Sequence, residues 1–175
     1  NLHKIGRGTM IVIVAQGNNL KVGDGTVELV AKHSFNQIYM ASGLATVKLR
    51  NRDALNTDTK FNNIFFTRRG GTLDVNGFDQ KFGRIAASDS GAVITNTGAT
   101  RATLDFDLPK WKYAYHGQFT KGLNINFKYD DEADKNRKFN ERHLILDGGM
   151  DIHGDVSVKN AMITMQGLPS VHAVI

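Results

Sequence analysis

Gly25-Thr26-Val27-Glu28-Leu29 and, one interval on, Ala45-Thr46-Val47-Lys48-Leu49 carry one four-residue signature: Thr, apolar, any residue, apolar. It recurs as Thr9-Met10-Ile11-Val12, Thr72-Leu73-Asp74-Val75 and Thr103-Leu104-Asp105-Phe106, at intervals that differ from copy to copy. Glycine directly precedes three copies, at Gly8, Gly25 and Gly71. Thr and β-branched residues fit a pleated strand, and a preceding glycine admits a sharp bend. Such variable spacing is too loose for a helical repeat and suits the coils of a β-solenoid with loops of different length. The expected object is a rod of strands. Rods of this kind display or carry something, which directs attention to chemistry outside these residues.

Composition agrees with that reading. The chain has 175 residues, enough for about one domain with a real core. Eighteen glycines, ten phenylalanines and only two prolines favour strands joined by tight turns. No stretch approaches the roughly 18 consecutive apolar residues of a membrane-spanning helix. The absence of cysteine excludes disulfides, thiolate zinc sites and thiol chemistry. Net charge is +5 and the pI about 9.5, but Lys and Arg are scattered. No aromatic residues interleave with them at stacking spacing, so no nucleic-acid partner is expected. Both ends read as strand, from Asn1 and to Val171-His172-Ala173-Val174-Ile175, as if cut from something longer.

Alternation is the dominant pattern along the chain. Leu123, Ile125, Phe127 and Tyr129 face one way, with Asn124, Asn126 and Lys128 between them. Ile152, Val156 and Val158 alternate with His153, Asp155 and Ser157. These are short strands bounded by Gly, Asn and Asp, as at Asn76-Gly77 and Thr97-Gly98. Coils of roughly 20 residues stacked at about 4.8 Å would give about eight coils and a rod on the order of 40 Å long. An antiparallel sandwich is the alternative that short, evenly spaced strands allow. Residues 1–175 are read as a single stalk segment truncated at both ends, with excursions near 108–119 and 130–138. The first holds Trp111, Tyr113 and Tyr115, read as a strand whose aromatic residues cover a coil; the second runs from Asp130 to Lys138 and is read as a solvated loop.

Each chemical motif has a plainer explanation. Ser88-Asp89-Ser90-Gly91 resembles the Gly-Asp-Ser-Gly of trypsin-like nucleophiles, but Ser88 replaces the first glycine and a strand begins at Ala92. Asp-Ser-Gly is also ordinary turn chemistry. His3, His33, His116, His143, His153 and His172 show no metal-ligand spacing, although His143 and His153 could meet across coils. Asp130, Asp131, Glu132 and Asp134 lack calcium-loop spacing. Gly23-Asp24-Gly25 and Gly148-Gly149 are turn glycines rather than phosphate cradles, since no helix follows. Trp111, Tyr113 and Tyr115 could stack on sugar rings or pack on the rod. Glu28, Lys48, Asp74 and Asp105, the variable residues of the signature, mix signs and offer no acid pair for a polysaccharide-cleaving groove. No catalytic, cofactor or metal residue is assigned.

Several segments together resemble a known family. Leu2-His3-Lys4-Ile5-Gly6-Arg7-Gly8-Thr9, Leu20-Lys21-Val22-Gly23-Asp24-Gly25-Thr26-Val27 and Arg69-Gly70-Gly71-Thr72-Leu73-Asp74-Val75-Asn76-Gly77 resemble the passenger of IgA-protease-like autotransporters. So do Asp89-Ser90-Gly91-Ala92-Val93-Ile94-Thr95-Asn96, Tyr115-His116-Gly117, and Leu146-Asp147-Gly148-Gly149 with Gly154-Asp155-Val156. Met165-Gln166-Gly167-Leu168-Pro169-Ser170-Val171-His172-Ala173 resembles the family's Leu-Gln-Gly-His-Pro-x-x-His-Ala ending, with Leu168 in place of the first His. The nearest subgroup is the serine protease autotransporters of Enterobacteriaceae. The resemblance implies an all-β, right-handed parallel β-helix (β-solenoid) exported through the periplasm and outer membrane of a Gram-negative cell. It implies two partners in the same precursor, an upstream trypsin-like protease domain and a downstream outer-membrane β-barrel. No family catalytic motif matches a residue here. The competing expectation is a non-proteolytic adhesin rod that binds a host protein or glycan.

Overall fold

The computed structural model describes residues 1–14, 17–55, 63–83, 85–129 and 142–166. The loop expected at 130–138 and the ending from Gly167 onward lie outside the described residues. Strands follow one another as successive coils. The first coil holds β1 (Leu2–Lys4) and β2 (Thr9–Val12), the second β3 (Gly17–Val22) and β4 (Gly25–Leu29). The third holds β5 (Phe35–Met40) and β6 (Ala45–Leu49), the fourth β7 (Ile64–Phe66), β8 (Gly71–Asp74) and β9 (Gln80–Phe82). Next come β10 (Ala92–Asn96) with β11 (Ala102–Asp107), then β12 (Tyr113–Tyr115), β13 (Gln118–Lys121) and β14 (Leu123–Lys128). The seventh coil is β15 (His143–Leu146), β16 (Met150–Ile152) and β17 (Val156–Lys159), and β18 (Met162–Met165) opens the eighth.

Every pairing between these strands is parallel and links one coil to the next, forming a β-solenoid. Its longest sheet runs β2-β4-β6-β8-β10-β13-β16; a second side is β9-β11-β14-β17, and the remaining side is β1-β3-β5-β7 early and β12-β15-β18 late. Parallel neighbours joined by crossovers take the right-handed sense, so the chain is a right-handed parallel β-helix. Parallel pairing with both neighbours satisfies each inner strand's backbone groups; the longest sheet has its edges only at β2 and β16, whereas the shorter sheets also end within the rod, at β7, β9 and β12.

The signature explains the first four coils and misleads on the fifth. Thr9, Thr26, Thr46 and Thr72 lie opposite one another in a single row of the longest sheet. Thr72 is then paired with Val93, not with Thr103. The fifth copy forms β11 on another side, where Thr103 faces Asn124. The interval from Thr72 to Thr103 therefore spans more than one coil; the true step from Thr72 ends at Val93. Gly25 shows what the preceding glycine does. Its φ is +70°, and a Cβ there would stand 2.5 Å from the carbonyl oxygens of Gly6 and Gly8 in the coil beneath.

Alternation places the core of β4, β6 and β8 as expected for all but one residue, whereas in β17 Val156 is only half-buried and Val158 is exposed. Val27, Leu29, Val47, Leu49, Leu73 and Val75 are fully buried, while Glu28 and Lys48 lie outward and half-buried. Asp74, expected outside, is buried. Its carboxylate accepts hydrogen bonds from the Asn76 amide (2.9 Å), the Thr97 amide (3.0 Å) and the Thr97 hydroxyl (2.5 Å), with Lys48 Nζ at 3.7 Å. The side chain points outward, but the corner of the next coil closes over it.

The core changes character along the rod. Early coils are filled mostly by aliphatic residues such as Leu20 and Ile38, with Met40 and a single Phe35 in the third coil. From the fourth coil Phe82, Phe106 and Phe127 stack at 5.3 and 5.4 Å, with Phe119 edge-on to Phe106 at 5.8 Å and Tyr115 stacked on Phe119 at 5.1 Å. The aromatic stretch expected as an excursion at 108–119 thus contains β12 and the start of β13, both members of the stack. Its aromatic residues divide between interior and surface: Tyr115 is buried within β12, whereas Trp111 precedes that strand and is half exposed.

Tyr115 carries a testable liability. Its hydroxyl is buried with no hydrogen-bond partner among the described residues. Burial, with a smaller contribution from the nearby Tyr113, pushes its ionisation far above the usual phenol range. An acid raised in the folded state stays protonated there while the unfolded chain ionises near pH 10, so stability is full below that pH and falls above it. Tyr115→Phe is expected to keep or raise stability at pH 7 by up to about 1 kcal/mol. It should also flatten the alkaline loss, as read from urea midpoints at pH 7 and above pH 10. A clear loss of stability at pH 7 would mean that the hydroxyl is bonded.

Candidate functional site

Among the described residues, Ser, His and Asp side chains from three coils gather at the corner that leads into the longest sheet. Three consecutive coils contribute Asp89-Ser90-Gly91, His116-Gly117-Gln118 and Asp147-Gly148-Gly149. Pairing of Val93 with Gln118, and of Phe119 with Met150, sets their order. The first segment is an Asx turn: Asp89 Oδ1 accepts from the Gly91 amide at 2.6 Å, and the Asp89 carbonyl accepts from Ala92 at 3.1 Å. The Ser90 carbonyl accepts from Gln118 Nε2 at 2.6 Å, so its backbone forms the link to the next coil.

His116 and Asp147 meet here, a pairing that spacing alone did not reveal. Asp147 Oδ1 and Oδ2 lie 2.7 and 2.9 Å from His116 Nδ1. A carboxylate at Nδ1 favours the tautomer with its proton on Nδ1 and leaves Nε2 as the acceptor nitrogen. The His116 amide donates to Ala87 at 3.0 Å, which anchors the ring's backbone to the coil beneath. Gly148 lets the turn pass: a Cβ there would overlap the carbonyls of His116 and Gly117. Both side chains are about a third exposed or more, so the pair contributes about 0–1 kcal/mol. His116 and Asp147 are separated in sequence by the same interval as the paired Phe119 and Met150, one full coil, and no Thr signature marks it.

The other candidates are dispersed. His143 Nε2 lies 2.6 Å from Thr164 Oγ1 on one side of the rod, whereas the His153 amide bonds to Lys121 on another; the two are not brought together. His3, His33 and His153 are exposed, and His172 lies outside the described residues. Among the described residues no group of three or more His, Asp or Glu could hold a metal ion. Burial of Tyr115 breaks up the aromatic trio considered for sugar stacking. In Gly23-Asp24-Gly25 the Asp24 carboxylate accepts from Gly25 at 2.6 Å and its carbonyl from Lys4 Nζ at 3.0 Å, which is turn chemistry. Glu28 pairs with Arg50 at 3.7 Å and Asp105 accepts from Asn126 at 2.8 Å, so the outer carboxylates serve contacts between coils.

Ser90 therefore yields a prediction. The purified protein should hydrolyse no casein and take no label from a fluorophosphonate, identically to Ser90→Ala. The motivation is that the Ser90 hydroxyl makes no hydrogen bond to His116 or to any other described residue, and a hydroxyl without a bonded base is a weak nucleophile. Labelling of the parent but not of the variant would place an active site in the rod.

Comparison with known proteins extends these observations. No family model matches the chain. It is 48% identical to serine protease EspC of Escherichia coli O127:H6 over 174 residues, which is 99% of this chain and 13% of that protein. Serine protease EspP of Escherichia coli O157:H7 is 46% identical over the same shares. An adhesion and penetration protein autotransporter of Haemophilus influenzae is 33% identical over 98% of this chain and 14% of its own length. The crystal structure of the passenger domain of plasmid-encoded toxin, an autotransporter enterotoxin of enteroaggregative Escherichia coli, superposes with a TM-score of 0.83 at 42% identity. That match covers 95% of this chain and 17% of the other. The chain thus spans only a small part of the length of the relatives it matches.

Proposed function

The chain belongs to the serine protease autotransporters of Enterobacteriaceae, as part of a β-helical passenger, and from that premise we propose that it is a length of stalk. The observation that carries this reading is the seven-stranded parallel sheet, which continues from β2 to β16 without a break. The stalk holds an upstream protease domain away from the bacterial surface. A downstream outer-membrane β-barrel supplies the route out of the periplasm, and the product is secreted or displayed. Each coil offers the next a row of backbone donors and acceptors and an apolar face, so folding proceeds stepwise. Coils that fold outside the membrane oppose backsliding of the chain behind them. A chain without cysteine can pass outward with no disulfide to hold it compact.

A precursor carrying the chain, expressed in a Gram-negative host, tests this. Removal of residues 72–92, one coil by register, should still give a secreted product, because the stack closes on an equivalent coil. Leu73→Asp should lower the secreted yield and leave precursor in the periplasm. Equal secretion of Leu73→Asp and the parent would show that folding of this segment does not drive export. The identity to an adhesion and penetration protein supports a second reading, a rod that also binds a host protein or glycan. Binding of the purified protein to host cells would support it.

A further inference from the structure

Asn76-Gly77 is the chain's sole Asn-Gly dipeptide, the sequence at which spontaneous deamidation is fastest because glycine leaves the backbone nitrogen unobstructed. We propose that it is a latent modification site, open in the unfolded chain and closed in the rod, with Asn96 of the next coil as its guard. In the reaction the Gly77 nitrogen loses its proton to hydroxide and bonds to Cγ of Asn76. The Cγ–Nδ2 bond breaks and ammonia leaves. The resulting succinimide takes up water and opens to aspartate or isoaspartate.

The rod holds both reacting groups. The Gly77 amide donates to Asn96 Oδ1 at 2.8 Å, so the nucleophile's proton is engaged. The departing amide is drawn the other way, where Asn76 Nδ2 donates to the Leu49 carbonyl at 2.9 Å in the coil beneath. Gly98 roofs the peptide: a Cβ there would stand 2.5 Å from Gly77 N and 2.6 Å from the Asn76 carbonyl carbon. Asn96 is itself buried and fixed, donating to Thr100 at 2.9 Å and to Gly122 at 2.6 Å while accepting from Gly98 at 2.9 Å. Asn96 is a positioning residue that spans three coils. Conversion of Asn76 to an acid would remove the donor to Leu49 and set a carboxylate two residues from Asp74. A chain that lingers unfolded would thus carry a covalent record of the delay into a weaker corner.

The test is mass spectrometry of the peptide spanning Asn76-Gly77 after incubation at mildly alkaline pH. Deamidation of the folded protein should be more than ~10-fold slower than in urea, the factor following from the closed state's local stability. Asn96→Ala should deamidate faster than Leu144→Ala, a core variant on another side of the rod that reports general loosening. The proposal is overturned if the folded parent reacts at the rate seen in urea. Equal rates for Asn96→Ala and Leu144→Ala, or an Asn96→Ala rate equal to the parent's, would overturn it too. Should Asn96→Ala fail to fold, hydrogen exchange of the Gly77 amide in the parent decides. Slow exchange supports the closed corner, and exchange as fast as an open loop overturns it.

Discussion

Leu73→Asp is expected to destabilise the rod by about 4 kcal/mol or more, or to prevent folding of the coils around it. Leu73 is fully buried in β8, with Val47 opposite it in one neighbouring coil and Ile94 in the other. A carboxylate there would be charged in an apolar interior with no cation to meet it. Parallel pairing on both sides holds the strand in place, so the side chain cannot turn outward without breaking two rows of hydrogen bonds. The adjacent Asp74 is no precedent, since its carboxylate has three donors and a lysine. Urea unfolding followed by circular dichroism measures the loss. Glu28→Gln is the control: its partner Arg50 is exposed, and the change should stay within about 1 kcal/mol. Leu73→Asp as stable as the parent would mean that the register is wrong.

Phe106→Ala should cost about 3–5 kcal/mol. Its ring is sandwiched between Phe82 and Phe127 and meets the edge of Phe119, so it contacts two sides of the rod and three coils. The surrounding backbone is tied coil to coil, which keeps the space from collapsing around the smaller residue. A double-mutant cycle of Phe106→Ala with Phe127→Ala should show coupling of about 0.5–1.5 kcal/mol from ring contact beyond area burial. Additive losses would mean that the stack is geometric and carries no interaction energy of its own.

Much of the architecture was legible because strand alternation is local. Side chains at i and i+2 share a face whatever the rest of the chain does, so the inward set from Val27 to Val75 followed from the residues themselves. The asparagine corner was visible only as a turn signal. That Asn96 reaches across three coils depends on where Gly77 and Gly122 come to rest, and neither lies near it in sequence. The same holds for His116 and Asp147.

By itself the sequence determined that the chain is β, that its strands are short and alternate, and that Thr9, Thr26, Thr46 and Thr72 repeat one position. Composition and period act within a few residues and require no knowledge of the path between them. Only the tertiary structure decided which side of the rod each strand joins, that Thr103 leaves the row of its fellows, that Asp74 is covered, and that Tyr115 turns inward while Trp111 stays at the surface. The physical reason is coil length. The row passes from Thr9 through Thr26, Thr46 and Thr72 to Val93 with no two steps alike, and each step is set by corners whose geometry depends on the coil beneath. A variable step erases the phase that a short motif records, and the stack restores it one coil at a time through backbone hydrogen bonds.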